Sequence, residues 1–285
     1  MIPSGRPFFK MSGSGNDFVM VDARTEPRGE LGEVDTIRRL CARGTGVGAD
    51  GIVFLERSDV ADVRLTYINA DGSPADFCGN ATLCTTRLAA ELGAGDPQGM
   101  QIETQAGLVT ARIRDGMPEI DLQPVTDVRA SASAIAVELG ERRVGYAMVG
   151  VPHLVVQCDD VSTVDVVGRG RPLRSHETMR QGANVNFVSA GPNGRWRYRT
   201  YERGVEAETL ACGSGSVATA ILLTVWGETG TANRGAGRQA QPAEVEIETR
   251  SGKLLRVRLA TTGGDWLPSL SGEGRIVFQA KLSEI

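Results

Sequence analysis

The 285-residue chain has a formal net charge of −4, and 41% of its residues are hydrophobic. This charge excludes the basic surface typical of nucleic-acid binding, and no apolar run reaches the roughly 18 residues of a membrane span. The N-terminal stretch lacks the apolar core of a signal peptide. We therefore expect a cytoplasmic globular protein of one or two domains that binds neither nucleic acid nor membrane.

The cysteine and histidine content argues against a disulfide framework and a zinc site. Five cysteines are an odd number, and a secreted disulfide scaffold is shorter and richer in cysteine. Zinc requires tetrahedral Cys and His ligands with closely spaced pairs, and the nearest pair, Cys78 and Cys84, has five residues between its members. We predict no metal and no cofactor.

The first half of the chain predicts two strands, a helix and a hairpin. Residues 17–22, DFVMVD, form an apolar strand, and residues 63–70, VRLTYINA, alternate with a period of two. Residues 81–92 are rich in Ala, Leu and Thr and predict a buried helix. Hairpin strands follow over residues 100–123.

The second half predicts the same elements in the same order. Strands lie at residues 153–158 and 195–203, a buried helix at 216–226 and a hairpin at 243–260. Residues 227–242 are polar and rich in Gly, which predicts a surface loop. We expect residues 126–143 to open a second domain, and the last strand, 274–282, to return to the first.

Registered similarities between the halves indicate an internal duplication. Gly15 precedes Cys78 by 63 residues and Gly150 precedes Cys212 by 62, while IETQAGLV at 102–109 matches IETRSGKL at 247–254. We predict an α+β fold of two pseudo-symmetric domains, each a mostly antiparallel curled β-sheet around a central helix. The predicted domains are residues 1–124, joined by 274–285, and residues 125–273.

Cys78 and Cys212 each precede the predicted central helix of one half. Unpaired N–H groups and the helix dipole at such a position favour the thiolate over the thiol. The following Gly79 and Gly213 let the backbone approach a ligand, and the next N–H groups can hold an anion such as a carboxylate. Each half therefore offers a candidate base beside a candidate anion site.

Two thiols that face one ligand from opposite sides could invert a carbon centre without a cofactor. One thiolate would remove a proton while the other thiol delivers one. From the duplication we propose His153 and Glu202 as the groups that adjust the protonation of the two thiols. For Cys41, Cys84 and Cys158 we favour a role as buried small hydrophobes. A solvated ion pair is the structural alternative for Glu202 and Arg203.

These motifs resemble the diaminopimelate epimerase family, the racemases that work without pyridoxal phosphate. The resemblance covers GSGNDFVMVD, GVGADG, NADGSPADFCGN, PHLVV, NVNFV and YERGVEAETLACGSG, in order, over nearly the whole chain. It implies two similar domains with the site in the cleft between them, an amino-acid substrate and a homodimer.

The resemblance also implies roles for individual residues. It makes Cys78 and Cys212 the acid–base pair, with His153 beside Cys78 and Glu202 beside Cys212. Further residues would bind substrate: backbone amides of Gly79, Asn80, Gly213 and Ser214 at the reacting carboxylate, and the side chains of Asn16, Asn69, Asn184 and Arg203, the last three at the distal end.

Three departures from the family pattern bear on the substrate. The family reads CGNGxRC where this chain has CGNATLC, so Ala81 replaces a glycine and Leu83 an arginine, and Val151 stands where the family has an asparagine. A lost hydrogen bond to a polar group of the substrate strongly changes discrimination between substrates.

We expect an epimerase of LL- and meso-2,6-diaminopimelate that serves lysine and peptidoglycan precursor synthesis.

Two other functions are alternatives. One is a related racemase of another amino acid, which Val151 and Leu83 favour. The other is a non-catalytic redox switch in which the two thiols form a reversible disulfide.

Overall fold

The computed structural model describes residues 5–75, 77–229 and 243–283. Most of the predicted loop at 227–242 and Asp76 of the first cysteine motif lie outside these ranges. The chain divides into two units, Met1–Ile120 with Ser271–Ile285 and Asp121–Leu270. Within the described residues, no helix is long and apolar enough to span a membrane.

In its described residues, the first unit contains a mixed sheet and two α-helices. Its helices are α1 (Val34–Cys41) and α2 (Gly79–Glu91). The strands, in chain order, are β1 (Pro7–Gly13), β2 (Asn16–Asp22), β3 (Gly51–Glu56), β4 (Val63–Asn69), β5 (Met100–Thr104), β6 (Gly107–Arg114), β7 (Met117–Asp121) and, from the C-terminus, β17 (Arg275–Lys281).

In the first unit, successive pairs of neighbouring strands alternate between antiparallel and parallel. Strand β1 pairs antiparallel with β2 and β17, β2 runs parallel to β3, β3 pairs antiparallel with β4, β4 runs parallel to β5, and β5–β6–β7 form antiparallel hairpins. Helix α2 contacts β1, β3, β4, β6 and β17. A sheet whose strands meet one helix from so many sides curls around it.

The two faces of strands β2 and β3 are both buried. Val19 and Val21 pack with Ile52 in a cluster that includes Leu40 of α1, while Phe18 is also fully buried but is not part of that cluster. Strands covered on both faces read as continuous apolar runs rather than alternating ones. This explains the sequence patterns NDFVMVD and GIVFLE.

The second unit is built in the same way. Its helices are α3 (Val166–Arg174) and α4 (Gly213–Val225). The strands are β8 (Val128–Arg129), β9 (Glu141–Val149), β10 (Val151–Cys158), β11 (Asn184–Ala190), β12 (Trp196–Glu202), β13 (Ala207–Thr209), β14 (Ala243–Glu248), β15 (Leu254–Thr262) and β16 (Asp265–Ser271).

Strand pairing in the second unit repeats the order of the first. Strand β9 pairs antiparallel with β10, β10 runs parallel to β11, β11 pairs antiparallel with β12, β12 runs parallel to β14, and β14 pairs antiparallel with β15. Helix α4 contacts β9, β10, β11, β14 and β15. The duplication read from the sequence is therefore present as one order of pairing used twice, with a mostly antiparallel sheet around a central helix each time.

Both central helices are buried because nearly every face is apolar or small. Helices α2 and α4 have 13 residues each, and each begins at the glycine that follows a cysteine. Their threonines do not remain unpaired in the core, since Thr85 and Thr219 donate to the carbonyls of Ala81 and Gly215 one turn earlier. The helices thus fill the sheets and fix the position of the preceding cysteine.

Candidate active site

Cys78 is the N-cap residue of helix α2 and has an extended backbone. Its carbonyl oxygen accepts hydrogen bonds from the backbone N–H and the hydroxyl of Thr82, both at 2.9 Å. The side chain is half-buried. The N–H groups of the first helical turn, beginning at Gly79, have no intrahelical acceptor and can serve a ligand.

A chain of polar side chains holds Asn80 in the first turn of α2. Its Nδ2 donates to Oδ1 of Asn16 at 2.7 Å, and Nδ2 of Asn16 donates to Asp50 at 3.0 Å. Asp50 in turn accepts from Arg43 at 2.7 Å. Asn80 is only 3% exposed, and its Oδ1 has no hydrogen-bond partner in the described part of the chain. A buried free acceptor is costly, so this oxygen is available to a donor on a ligand.

The side chain of Asn69 is engaged in a turn at the end of β4. Its Nδ2 donates to the carbonyl and hydroxyl oxygens of Ser73 at 3.2 and 3.1 Å. The first unit therefore contains Cys78, Gly79, Asn80, Asn16 and Asn69 of the predicted site residues, and the hydrogen bonds join Asn80 to Asn16.

Cys212 repeats the position of Cys78 at helix α4. It is the N-cap, its backbone is extended, and its carbonyl accepts from the N–H and hydroxyl of Ser216, both at 2.9 Å. Its Sγ lies 3.7 Å from Oγ of Ser214. Cys212 is 6% exposed, so it is more buried than its counterpart.

Burial reverses the protonation that we predicted for Cys212. Removal from water and then the negative charge of Glu202 raise the pKa of the thiol, and these effects outweigh the N–H of Gly215 and the hydroxyl of Ser214, which lower it. The helix terminus was expected to favour the thiolate. The site instead favours the thiol, because the cost of burying a charge exceeds the stabilisation that the N–H dipoles provide.

Glu202, at the end of β12, lies beside Cys212 and shares a hydrogen bond with it. Its Oε1 also accepts from the hydroxyl of Thr209 on the adjacent β13. Burial raises the pKa of the carboxyl, and the hydrogen bonds from Thr209 and Cys212 only partly offset this. The carboxyl and the thiol therefore influence each other's protonation.

Asn184 positions the backbone at Arg203. Its Oδ1 accepts from the backbone N–H of Arg203 at 2.8 Å, and the Arg203 guanidinium donates to the carbonyl of Gln181 at 2.8 Å. Asn184 is 6% exposed. The end of β12 thus carries Glu202 and Arg203 side by side, anchored by the start of β11.

His153 lies on β10 and is completely buried. Its Nδ1 lies 3.3 Å from Nδ2 of Asn186, and its Nε2 has no hydrogen-bond partner among the residues that the structure describes. Burial lowers the pKa of the ring to about 3, Arg203 adds to this, and the Val149 carbonyl opposes it. The ring is therefore neutral at physiological pH. Its predicted place beside Cys78 stays a prediction.

The low pKa of His153 makes the free energy of unfolding depend on pH. The unfolded ring binds a proton near pH 6.5, whereas the folded ring stays neutral down to about pH 3. Its contribution is thus present above pH 6.5 and is lost as the pH falls, by up to about 1.4 kcal/mol per pH unit.

We expect His153→Gln to flatten the fall of the unfolding free energy on acidification, as measured by urea denaturation from about pH 7 to pH 4. The matched control, His176→Gln, replaces the other histidine, which bonds Thr178 near the surface. Equal slopes for wild type and His153→Gln would contradict the expectation.

The three departures from the family pattern occupy different surroundings. Ala81 and Leu83 are fully buried in helix α2. Val151 is half-buried at the first position of β10, two residues before His153. Of the three, Val151 is the one that is not fully buried.

Sequence reasoning missed Asn186, Tyr198 and Gly215, which surround the predicted residues of the second unit. Asn186 interrupts an apolar strand, NVNFV, and a polar residue at a fully buried position needs partners. That pattern was the available signal in the sequence.

Within the described residues, no group of three or more His, Cys, Asp or Glu side chains could hold a metal ion.

The chain is similar over its length to proteins of known family. The family model described as diaminopimelate epimerase matches residues 8–126 and 145–274. A diaminopimelate epimerase of Gemmatimonas aurantiaca is 47% identical over 97% of this chain and 99% of its own length, and one of Aquifex aeolicus is 36% identical over 97% and 98%.

A solved structure is similar in fold. The crystal structure of the Bacillus anthracis phenazine biosynthesis protein of the PhzF family covers 98% of this chain and 99% of its own, with a TM-score of 0.72 and 16% identity. This likeness agrees with the α+β fold class predicted from the sequence.

Proposed function

The chain belongs to the diaminopimelate epimerase family, and we propose that it interconverts LL- and meso-2,6-diaminopimelate by proton transfer at one α-carbon. The observation that carries this proposal is the repeated site: a cysteine, then a glycine, at the start of a buried helix in each unit. The product serves lysine and peptidoglycan precursor synthesis.

The proposed reaction needs two thiols and no other reactant. One cysteine, as thiolate, takes the α-proton, so the C–H bond breaks and an S–H bond forms. The electron pair delocalises into the carboxylate, and the other cysteine then donates its proton to the opposite face. N–H groups at Gly79, Asn80, Gly213 and Ser214 stabilise the carboxylate as charge develops, as helix N-termini do for anions.

The protonation of the second site suits this chemistry. The raised pKa of Cys212 keeps it as a thiol, the form that delivers a proton. When Cys212 must act as the base, the neighbouring Glu202 can accept its proton. His153 is the proposed partner of Cys78. Because the reaction runs in both directions, each cysteine needs a partner that either accepts its proton or stabilises its thiolate.

Substrate recognition is the second part of the proposal. Asn16, Asn69, Asn184 and Arg203 bind the substrate, and the last three select its distal end. A guanidinium holds a carboxylate through two parallel hydrogen bonds, which fits a substrate with a second amino-acid head. The side chain of Val151 cannot hydrogen-bond to a polar group of the substrate, so a racemase of another amino acid is the second candidate function.

The test follows deuterium incorporation by NMR with fully reduced protein in deuterated water. LL-diaminopimelate, meso-diaminopimelate and a panel of other amino acids are offered separately. A two-base enzyme places solvent deuterium at the α-carbon of the first product molecules while the remaining substrate keeps its hydrogen, because the acid and the base are different groups. Exchange on another amino acid alone supports the second candidate. No exchange on any amino acid contradicts both and favours the redox switch.

Glu202→Gln is expected to separate catalysis from stability. We expect turnover to fall by about 10²-fold, because the amide cannot accept the Cys212 proton. Burial raises the pKa of the carboxyl in the folded protein above its unfolded value of 4.5. The contribution of Glu202 to the free energy of unfolding is therefore fully present below pH 4.5 and is lost as the pH rises through the folded pKa. The variant is therefore more stable than wild type at neutral pH in urea denaturation. Glu177→Gln, at an exposed position, is the control, and a variant destabilised at neutral pH would contradict this account.

The setting of the enzyme is also a proposal. The two cysteines must remain thiols to act, which favours the reducing cytoplasm. The family resemblance suggests a homodimer, which light scattering of the purified protein tests directly.

A further inference from the structure

Asn186 is held in one orientation by four buried neighbours. Its Oδ1 accepts from the hydroxyl of Tyr198 at 2.7 Å and from that of Thr200 at 3.1 Å. Its Nδ2 donates to the carbonyl of Leu154 at 2.8 Å and lies 3.3 Å from Nδ1 of His153. Asn186 and Thr200 are 0% exposed and Tyr198 is 2% exposed.

The contact with Leu154 fixes which end of the amide faces His153. A carbonyl oxygen can only accept, so an amide turned the other way would place two acceptors 2.8 Å apart. Both hydroxyls can donate to Oδ1 in the orientation seen. The group that faces the histidine ring is therefore an N–H donor.

An N–H donor at Nδ1 determines the tautomer of the ring. The neutral imidazole carries one hydrogen, and the nitrogen that faces a donor must be the acceptor. We propose that Asn186 is a positioning residue that holds His153 as the neutral tautomer with its hydrogen on Nε2. This Nε2 has no partner within the described residues, so its N–H is available to a ligand or a reacting group.

The charges around the ring favour the same neutral state. Arg203 is the charged side chain that acts on His153, and its positive charge opposes a second proton on the ring. The carbonyl of Val149 is the competing acceptor, and it could hold a hydrogen on the ring. If that hydrogen sat on Nδ1, the proposed tautomer would be wrong. The NMR experiment below distinguishes the Nδ1–H tautomer from the Nε2–H tautomer.

The consequence for catalysis rests on the proposed function. A neutral ring with Nε2–H can donate a hydrogen bond to a thiolate but cannot accept the proton of a thiol at that nitrogen. His153 would thus stabilise the charged form of the cysteine beside it, whereas Glu202 accepts a proton from Cys212. The two halves of the site would tune their thiols in different ways.

The test is long-range ¹H–¹⁵N NMR of protein labelled at histidine, without substrate. Only His153 and His176 contribute signals, and His176→Gln assigns them. We expect the His153 spectrum to show a hydrogen on Nε2 and a bare Nδ1 at neutral pH. A hydrogen on Nδ1 would overturn the proposal. Because no substrate is present, the result is independent of the deuterium experiment on the reaction.

A variant tests whether Asn186 sets the tautomer. Asn186→Asp replaces the donor by a carboxylate, which accepts, so we expect the His153 ring to gain a hydrogen on Nδ1. An Nε2–H tautomer unchanged in the folded variant would overturn the role of Asn186. The control is Asn193→Asp on an exposed turn, which should leave the spectrum unchanged. Should Asn186→Asp fail to fold, the wild-type spectrum alone still decides the tautomer.

Discussion

Replacing Cys78 or Cys212 singly by serine is expected to lower turnover by about 10²- to 10⁴-fold, the usual contribution of a positioned acid or base. A hydroxyl keeps the shape of the thiol but is a far weaker acid, so it neither forms the anion nor gives up a proton readily. Initial rates of epimerisation, measured with both stereoisomers, check the result.

The cysteine variants have a matched control within the same units. Cys41 and Cys158 are each 3% exposed, pack in the hydrophobic clusters, and are not the residues that begin the central helices. Cys41→Ser and Cys158→Ser should therefore keep the wild-type turnover per folded molecule. Equal losses in all four variants would mean that a general loss of structure, and not proton transfer, explains the effect.

Single-cysteine variants also report which thiol serves which stereoisomer. A variant that retains one base can still remove and return the α-proton from the face of that base. We expect Cys78→Ser and Cys212→Ser to exchange deuterium into opposite stereoisomers without converting them. Exchange of the same stereoisomer by both variants would contradict two-base transfer, and full turnover with loss of an oxidised form alone would favour the redox switch.

The fold could be predicted largely because the chain carries its architecture twice. The early strand, the alternating strand and the helix recur at near-identical distances from Cys78 and Cys212, the hairpin recurs after a longer connection in the second half, and the observed pairing order recurs with them. Elements without such support were missed. Helix α3 contains Pro172 and three arginines, which mask the apolar pattern of a helix.

The positions of the two cysteines could be predicted, but their electrostatics could not. A cysteine followed by glycine before an apolar helix identifies an N-cap, which both residues occupy. The pKa of Cys212 depends on how completely the fold removes it from water and on Glu202, which reaches it from another strand. Sequence spacing indicates neither burial depth nor through-space charge, so the sign of the shift was predicted wrongly.

The hydrogen-bond partners of the predicted residues lie on other strands and were equally invisible in the sequence. Asn186 on β11 joins His153 on β10 to Tyr198 on β12, and only the strand register brings them together. The residue that lets helix α4 approach this network is Gly215. A methyl group added there would lie 2.3 Å from both Oδ1 of Asn186 and the Tyr198 hydroxyl.

Gly215→Ala is accordingly expected to destabilise the protein by about 3 kcal/mol, since overpacking and broken buried hydrogen bonds each cost about 1–3 kcal/mol. Helix propensity alone predicts the opposite, a gain of about 1 kcal/mol for Gly→Ala within a helix, so the sign discriminates between the two effects. Turnover should fall as well, because the N–H of Gly215 lies at the Cys212 thiol. Urea denaturation and initial rates measure both.

The matched control for Gly215→Ala is Gly99→Ala, because a methyl group at Gly99 meets no atom within 4 Å. That variant should match wild type in stability and rate. A second variant separates packing from hydrogen bonding: Tyr198→Phe removes the hydroxyl that the new methyl group would strike. If the clash with Tyr198 dominates, Gly215→Ala costs less in the Tyr198→Phe background than in wild type. If Gly215→Ala alone proves neutral or stabilising, the close packing of α4 on Asn186 and Tyr198 is not what holds Cys212 in place.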